Sequence, residues 1–307
     1  MRIVSLLPAA TEICFALGLG NDLVGVSPEC DFPAAATVIP RVSRSLLDYD
    51  DKTSAETSAM VGKRLAAGHP LYKVDEKGLR EARPDVIVTQ GLCEVCAPIA
   101  EDVRAVASRL PKKPRIVTLD PHSLKDVLED LERVGKACGA AVPARTVVDE
   151  LRERIERVAF LAARVSNRPR TVCLEWLDPL FAAGHWVPEM VELAGGQDVL
   201  AKRGEPSRRV EPKDVVKATP EVAVLVPCGY DLDRSLKETP TLTRQSWWPD
   251  LPAARQDRVW VADGSSYFSR PGPRLVSGLD ILAHILHPEI FPRAPAPKDA
   301  LPWTGGP

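Results

Sequence analysis

Residues 74–88, VDEKGLREARPDVIV, align without a gap to residues 210–224, VEPKDVVKATPEVAV. The shared skeleton is Val, acid, Lys, apolar, Ala, Pro, acid, Val, Val. Each copy reads as a short helix, a proline break and a strand. Two further pairs follow in the same order: RIVSL (2–6) with RTVCL (170–174), and RIVTLD (115–120) with RVWVAD (258–263). A chain written twice on one pattern is expected to fold as two similar lobes, and no other feature restricts the architecture as much.

Short apolar runs at 2–6, 24–26, 86–89 and 116–119 alternate with helix-like segments, the signature of an α/β fold with buried parallel strands. Between the copies, residues 144–167 contain no Gly or Pro. Apolar residues recur there at Val148, Leu151, Ile155, Val158, Leu161 and Val165, which predicts one long helix with an apolar stripe. The expected organisation is therefore an N-terminal α/β lobe (1–143), a connecting long helix (144–168), a C-terminal α/β lobe (169–290) and a Pro/Gly-rich tail (291–307). Ligands of open α/β sheets bind beyond the carboxyl ends of the strands, so a ligand cleft between the lobes is expected.

A net charge of -2 leaves no electrostatic footprint for nucleic acid or an anionic membrane. No apolar stretch approaches the roughly 20 residues of a spanning helix. The opening MRIVSLLPAATEICFALGLG is broken by Pro8, Thr11 and Glu12, and 2–6 already reads as the first strand, so a cytoplasmic location is expected. Seven cysteines, an odd number, point to free thiols or ligands over a disulfide framework. No GxGxxG, GxSxG or Walker-type motif is present, and Glu175, Asp178 and Glu189 are acid–base candidates without a placed nucleophile; a non-catalytic, monomeric protein is expected.

Several stretches resemble a known family: the opening RIVSLLPAATEICFALGLGNDLVGVSPECDFP, then LYKVDEKGLREARPDVIVTQGLCEVC, CLEWLDPLFAAGHWVPEMVELAGG, GEPSRRV, VPCGYD and SYFSRPGPRL. Over residues 2–290 the chain resembles the helical-backbone substrate-binding proteins of ABC importers that carry cobalamin, ferric siderophores or haem, in the cobalamin-binding branch. The resemblance implies a bilobal fold like that of periplasmic binding proteins, a corrinoid such as cobalamin as ligand, and an ABC permease as partner. A ferric siderophore or haem stays open as the ligand.

The loops that follow strands can be enumerated from the pattern: 7–11, 27–32, 90–98 and 120–122 in the first lobe, and 175–186, 227–230 and 263–274 in the second. Aromatic residues are only 5% of the chain, yet Trp176, Phe181, Trp186, Tyr230, Tyr267 and Phe268 fall in these loops and supply flat faces for a plate-like ligand. Pro8, Ala9, Thr11, Glu29, Cys30, Gln90, Cys93, Glu175, Asp178, Cys228 and Arg270 complete the expected lining. Arg208, Arg209, Arg270 and Arg274 would meet amide or phosphate groups. His185 would approach a bound metal, with His122 a weaker candidate, while His284 and His287 are expected to cap a helix end. Cys14, Cys138 and Cys173 fall inside elements and read as core. For Cys30, Cys93 and Cys96 three readings stay open: a zinc or iron–sulfur centre in an intracellular thiol-metal protein, a redox pair, or thiols lining the ligand pocket.

Overall fold

Val86, Ile87 and Val88, an unbroken apolar run with no polar face, form the first three residues of a fully buried strand, as a parallel sheet covered on both faces requires. The computed structural model describes residues 1–49, 51–91 and 100–305. They divide into two units, one of Met1–Lys52, Glu56–Pro121 and Lys125–Leu151, the other of Thr53–Ala55, His122–Leu124 and Arg152–Pro307.

The first unit contains strands β1 (Ile3–Ser5), β2 (Leu23–Val26), β3 (Ser43–Ser45), β4 (Tyr72–Val74), β5 (Val86–Gln90) and β6 (Arg115–Leu119). Its helices are α1 (Pro8–Ala16), α2 (Ser54–Ala66), α3 (Glu76–Ala82), α4 (Ala100–Ala107) and α5 (Leu124–Ala137). The sheet is all parallel, in the order β2-β1-β5-β6, with β3 and β4 as a separate antiparallel pair. Val4, Leu6, Val42, Leu79, Ile87 and Val103 meet in its core.

Helix α6 (Ala141–Ala162) leads into the second unit. It begins before the expected residue 144 because Pro143 sits in the first turn, where a missing N–H removes no helical bond. It ends before 167 because Arg164 and Val165 donate to Leu161 and Ala162, tightening the last turn to i→i−3 bonds. The second unit has strands β7 (Arg170–Leu177), β8 (Leu180–Ala182), β9 (Gln197–Asp198), β10 (Arg208–Arg209), β11 (Val222–Leu225), β12 (Val259–Ala262) and β13 (Ala300–Pro302). Its further helices are α7 (Val187–Leu193), α8 (Pro212–Ala218), α9 (Leu232–Thr243), α10 (Pro252–Arg255), α11 (Gly264–Tyr267) and α12 (Leu275–Leu286). Strand order is β10-β8-β7-β11-β12-β13, with β7, β11 and β12 parallel and β8, β10 and β13 antiparallel to their neighbours.

The sequence repeat has a structural counterpart in detail. Helices α3 and α8 each end on a left-handed residue, Arg83 (φ 43°) and Thr219 (φ 43°), followed by proline and then a central strand. At the start of β1, Arg2 donates its backbone N–H to Asp85 (2.9 Å) and its Nε–H to Ala82 O (2.7 Å). At the start of β7, Arg170 donates its N–H to Glu221 (2.8 Å) and its guanidinium to Ala218 O (2.6 and 3.1 Å). In both units an arginine thus satisfies a helix C-terminal carbonyl while the acid after the proline fixes the strand register.

Two expectations are corrected. Residues 175–182, read as the start of a loop, form a β7–β8 hairpin with Trp176 opposite Phe181. The tail is not all coil, because 300–302 pair with β12; an open strand edge next to Pro-flanked apolar residues is satisfied by adding a strand.

Asp130 on α5 is 1% exposed, with Arg133 at 2.8 Å. Burial nonetheless outweighs that partner and pushes its carboxyl up to about 7. A folded-state value above the unfolded one favours the fold most below about pH 4, and this contribution is lost as pH rises towards 7. Asp130→Asn should therefore stabilise the protein by roughly 1–2 kcal/mol at pH 8 and give nothing at pH 4. Urea midpoints of both proteins over that range check it; an equal difference at both ends would refute the assignment.

Candidate functional site

The carboxyl ends of β7, β11 and β12 open onto three segments of the second unit: the β7–β8 hairpin with the turn into α7, residues 226–231, and residues 263–274. Tyr230 follows β11, and Asp231 caps α9 by accepting from Arg234 N–H (2.8 Å). That cap directs the Arg234 side chain back over Tyr230, 3.9 Å from the ring centroid, with Nη2 donating to the phenol oxygen at 3.2 Å. On the other side of Tyr230 lies Trp176, centroids 5.2 Å apart and tilted by 53°. Trp176 is half-buried and its indole N–H donates to Asp178 O (3.0 Å), across a cis Asp178–Pro179 peptide. That bond fixes the orientation of the ring, and the residue stays partly exposed.

His185 adopts a left-handed backbone (φ 53°), uncommon outside glycine. Two backbone bonds hold it there, His185 N–H to Glu205 O (2.6 Å) and Gly204 N–H to His185 O (2.9 Å). Its ring stacks on Trp186 (5.5 Å, 30°) and lies 5.7 Å from that of His122, which clusters with this unit. Trp186 is 4% exposed and donates its indole N–H to Phe268 O (2.8 Å). Phe268 is buried too, and Tyr267 is half-buried with its hydroxyl on Asp299. Among the rings foreseen, Trp176, Phe181, His185 and Tyr267 keep partial exposure, while Trp186, Tyr230 and Phe268 support them from within.

Other expected residues are placed differently. Pro8 is the first residue of α1, which turns Ala9 and Thr11 into the core of the first unit. Thr11 Oγ1 lies 2.8 Å from Ser5 Oγ and 3.0 Å from Cys30 Sγ, and Ser27 Oγ lies 3.1 Å from the same sulfur. Cys30 is fully enclosed, and burial pushes its thiol up, which opposes the thiolate a zinc or iron–sulfur site needs. Ala9, Thr11 and Cys30 are thus core groups and not exposed lining. Gln90, the last residue of β5, is nearly buried, whereas Glu29, Glu175, Cys228 and Arg270 are partly exposed and Asp178 is exposed. Cys93 and Cys96 lie outside the described residues. Among the described residues, no group of three or more His, Cys, Asp or Glu is placed to hold a metal ion.

Glu189, an acid–base candidate, accepts from Arg203 (2.9 Å) and from Leu124 N–H (2.8 Å), a structural role. Arg208 and Arg209 form β10; Arg208 Nε–H donates to Leu200 O and Arg209 lies 3.7 Å from Glu211. His287 closes α12 through its backbone N–H to Ala283 O (3.0 Å), while its ring bonds Gly195 O (3.1 Å) just past the end of α7. A cavity of about 480 Å³ in the second unit adjoins it, where α6 and α12 end. Arg258 there donates to Leu286 O (3.2 Å) and neutralises a helix C-terminus, so the hollow belongs to the scaffold. Arg234 was not foreseen, although its position three after Asp231 in the GYDLDR stretch is a helix-cap signal that aims it.

No family model matches the chain. In sequence it is 23% identical over 282 residues to a vitamin B12-binding protein of Vibrio cholerae, covering 91% of this chain and 86% of that protein. It is 22% identical over 295 residues to an uncharacterised ABC transporter substrate-binding lipoprotein of Bacillus subtilis (94% and 81% covered). In structure it is similar to the apo periplasmic haem-binding protein RhuT of Roseiflexus sp. RS-1, with a TM-score of 0.71, 23% identity and 94% and 98% coverage. The resemblance carried by the sequence motifs and the expected α/β fold of the periplasmic-binding-protein type are both borne out. The expected cytoplasmic location is overturned: RhuT is a periplasmic protein and the Bacillus subtilis relative a lipoprotein, and an exported protein is favoured. A first strand at residues 3–5 locates the start of the fold and carries no information on the compartment.

Proposed function

We propose, from the premise that this chain is a relative of the substrate-binding proteins of ABC importers, that it binds a corrinoid of the cobalamin type and presents it to a membrane permease. The single observation that carries the reading is the grouping of rings at the carboxyl edge of the second unit. Trp176 backed by Tyr230, and His185 backed by Trp186, set two partly exposed flat faces on supports that are themselves buried and hydrogen-bonded. Flat apolar faces with fixed orientation suit a large planar macrocycle, and pre-fixed rings lose little entropy on binding. Arg234 and the partly exposed Arg270 provide guanidinium groups for amide or phosphate substituents on the rim of such a ligand. No bond need be made or broken; the protein's work is recognition and release.

The imidazole pair favours a second reading. His122 and His185, with ring centroids 5.7 Å apart, offer nitrogen donors suited to the iron of a haem. The two readings separate in one experiment. Purified protein titrated with hydroxocobalamin should shift the visible bands of the corrinoid and carry it through a sizing column. Haemin in parallel should give weaker retention, and no association of hydroxocobalamin at micromolar concentration would remove the corrinoid reading. Trp176→Ala is expected to weaken corrinoid binding about 10-fold or more, equivalent to about 1.4 kcal/mol, with little change in melting temperature. Equal affinities of the two proteins would argue against the ring platform.

A further inference from the structure

The tail of the chain does something that its Pro- and Gly-rich composition conceals. Residues 300–302 pair antiparallel with β12, through Trp260↔Pro302, Val261↔Leu301 and Ala262↔Ala300, and Trp303 N–H closes the end on Val259 O (2.8 Å). The pairing runs one residue past β12, where Asp263 N–H donates to Asp299 O at 2.9 Å. Asp299 then uses its side chain as well, accepting the Tyr267 hydroxyl at 2.8 Å. A turn in which Asp299 and Ala300 both donate to Ala296 O keeps the aspartate in place. One tail residue therefore grips both the start and the far end of α11.

What α11 carries makes that grip consequential. Asp263 caps it through Ser266 N–H (2.7 Å), Ser265 N–H donates to Tyr230 O (2.9 Å), and Phe268 O receives the Trp186 indole (2.8 Å). The backbone of Tyr230, the ring of Trp186 and the ring of Tyr267 are thus fastened to one four-residue helix, too short to hold its own shape. Burial and the Asp299 bond both push the Tyr267 phenol up, so its hydroxyl stays a donor over the physiological range.

We propose that residues 296–303 are a strap that fixes the 263–270 segment in its binding form, with Asp299 as the positioning residue. The link from strap to affinity rests on the ligand site proposed above; the strap itself does not. The test is amide hydrogen exchange on the full chain, read over residues 264–270 with β7 and β11 as internal references. In Asp299→Ala, exchange at 264–270 should accelerate about 10-fold while β7 and β11 are unchanged. Tyr267→Phe should match it, and the double variant should add nothing further. Asp299→Asn, whose amide oxygen still accepts the phenol, should restore most of the protection. Hydroxocobalamin should bind Asp299→Ala about 5- to 10-fold more weakly at unchanged melting temperature. Unchanged exchange in Asp299→Ala would overturn the strap, as would Asp299→Asn behaving like the alanine variant. If wild-type protein binds no hydroxocobalamin, the ligand reading fails, and the exchange data still decide the strap.

Discussion

Trp186→Ala should lower the melting temperature by about 8 °C or more, since domains of this size lose about 2–4 °C per kcal/mol. The indole is 4% exposed, stacks on His185 and fills the junction before α7. Truncating a buried Trp costs about 3–5 kcal/mol through lost burial and the cavity left behind. The Phe268 carbonyl loses its donor as well, which adds about 1 kcal/mol if water does not reach it. Trp186→Phe keeps most of the apolar contact and loses only the N–H, so it should cost about 1–2 kcal/mol. Thermal scans of the three proteins distinguish these effects; an alanine variant within about 2 °C of wild type would mean that the ring is not a support.

Gly264→Ala should be about as damaging for a different reason. A Cβ there would lie 2.3 Å from Pro227 O and 2.6 Å from Val226 O, both backbone atoms that cannot rotate away. Either the start of α11 or the end of β11 has to move, breaking the Ser265 N–H to Tyr230 O bond between them. Overpacking against backbone costs about 3 kcal/mol or more, visible as a lower urea midpoint. Gly229→Ala is the matched control: its φ of 76° disfavours a side chain, but nothing lies within 4 Å of the added methyl. It should cost only about 1 kcal/mol. Similar midpoints for the two variants would show that the close approach at Gly264 relaxes freely.

The architecture was legible because it depends on local chemistry repeated along the chain. Apolar runs, the Ala–x–Pro–acid break and the Arg at each first strand are sequence-adjacent signals, and both units use them identically at Arg2 and Arg170. The strand-following loops were legible for the same reason, since a sheet's carboxyl edge can be counted from strand order. Burial within those loops was not. Thr11 and Cys30 looked like cleft residues until α1 turned one of them inward and a cluster of hydroxyls enclosed the other. Location was misread from the first residues, which describe where the fold begins and not how the protein is routed.

Two similar α/β units, a long helix between the repeat copies, a parallel core to each sheet and a set of aromatic residues on the strand-following segments were determined by the sequence alone. Periodicity and turn chemistry act over a few residues, and a single chain displays them. Which rings stay open and which become supports, the left-handed clamp on His185, the return of Arg234 over Tyr230 and the pairing of residues 300–302 with β12 were decided only by the tertiary structure. Each of these joins residues through a sheet edge or a packed loop, and the free energy that selects them, burial of one ring against another or of a carbonyl against a distant N–H, exists only once the chain has closed.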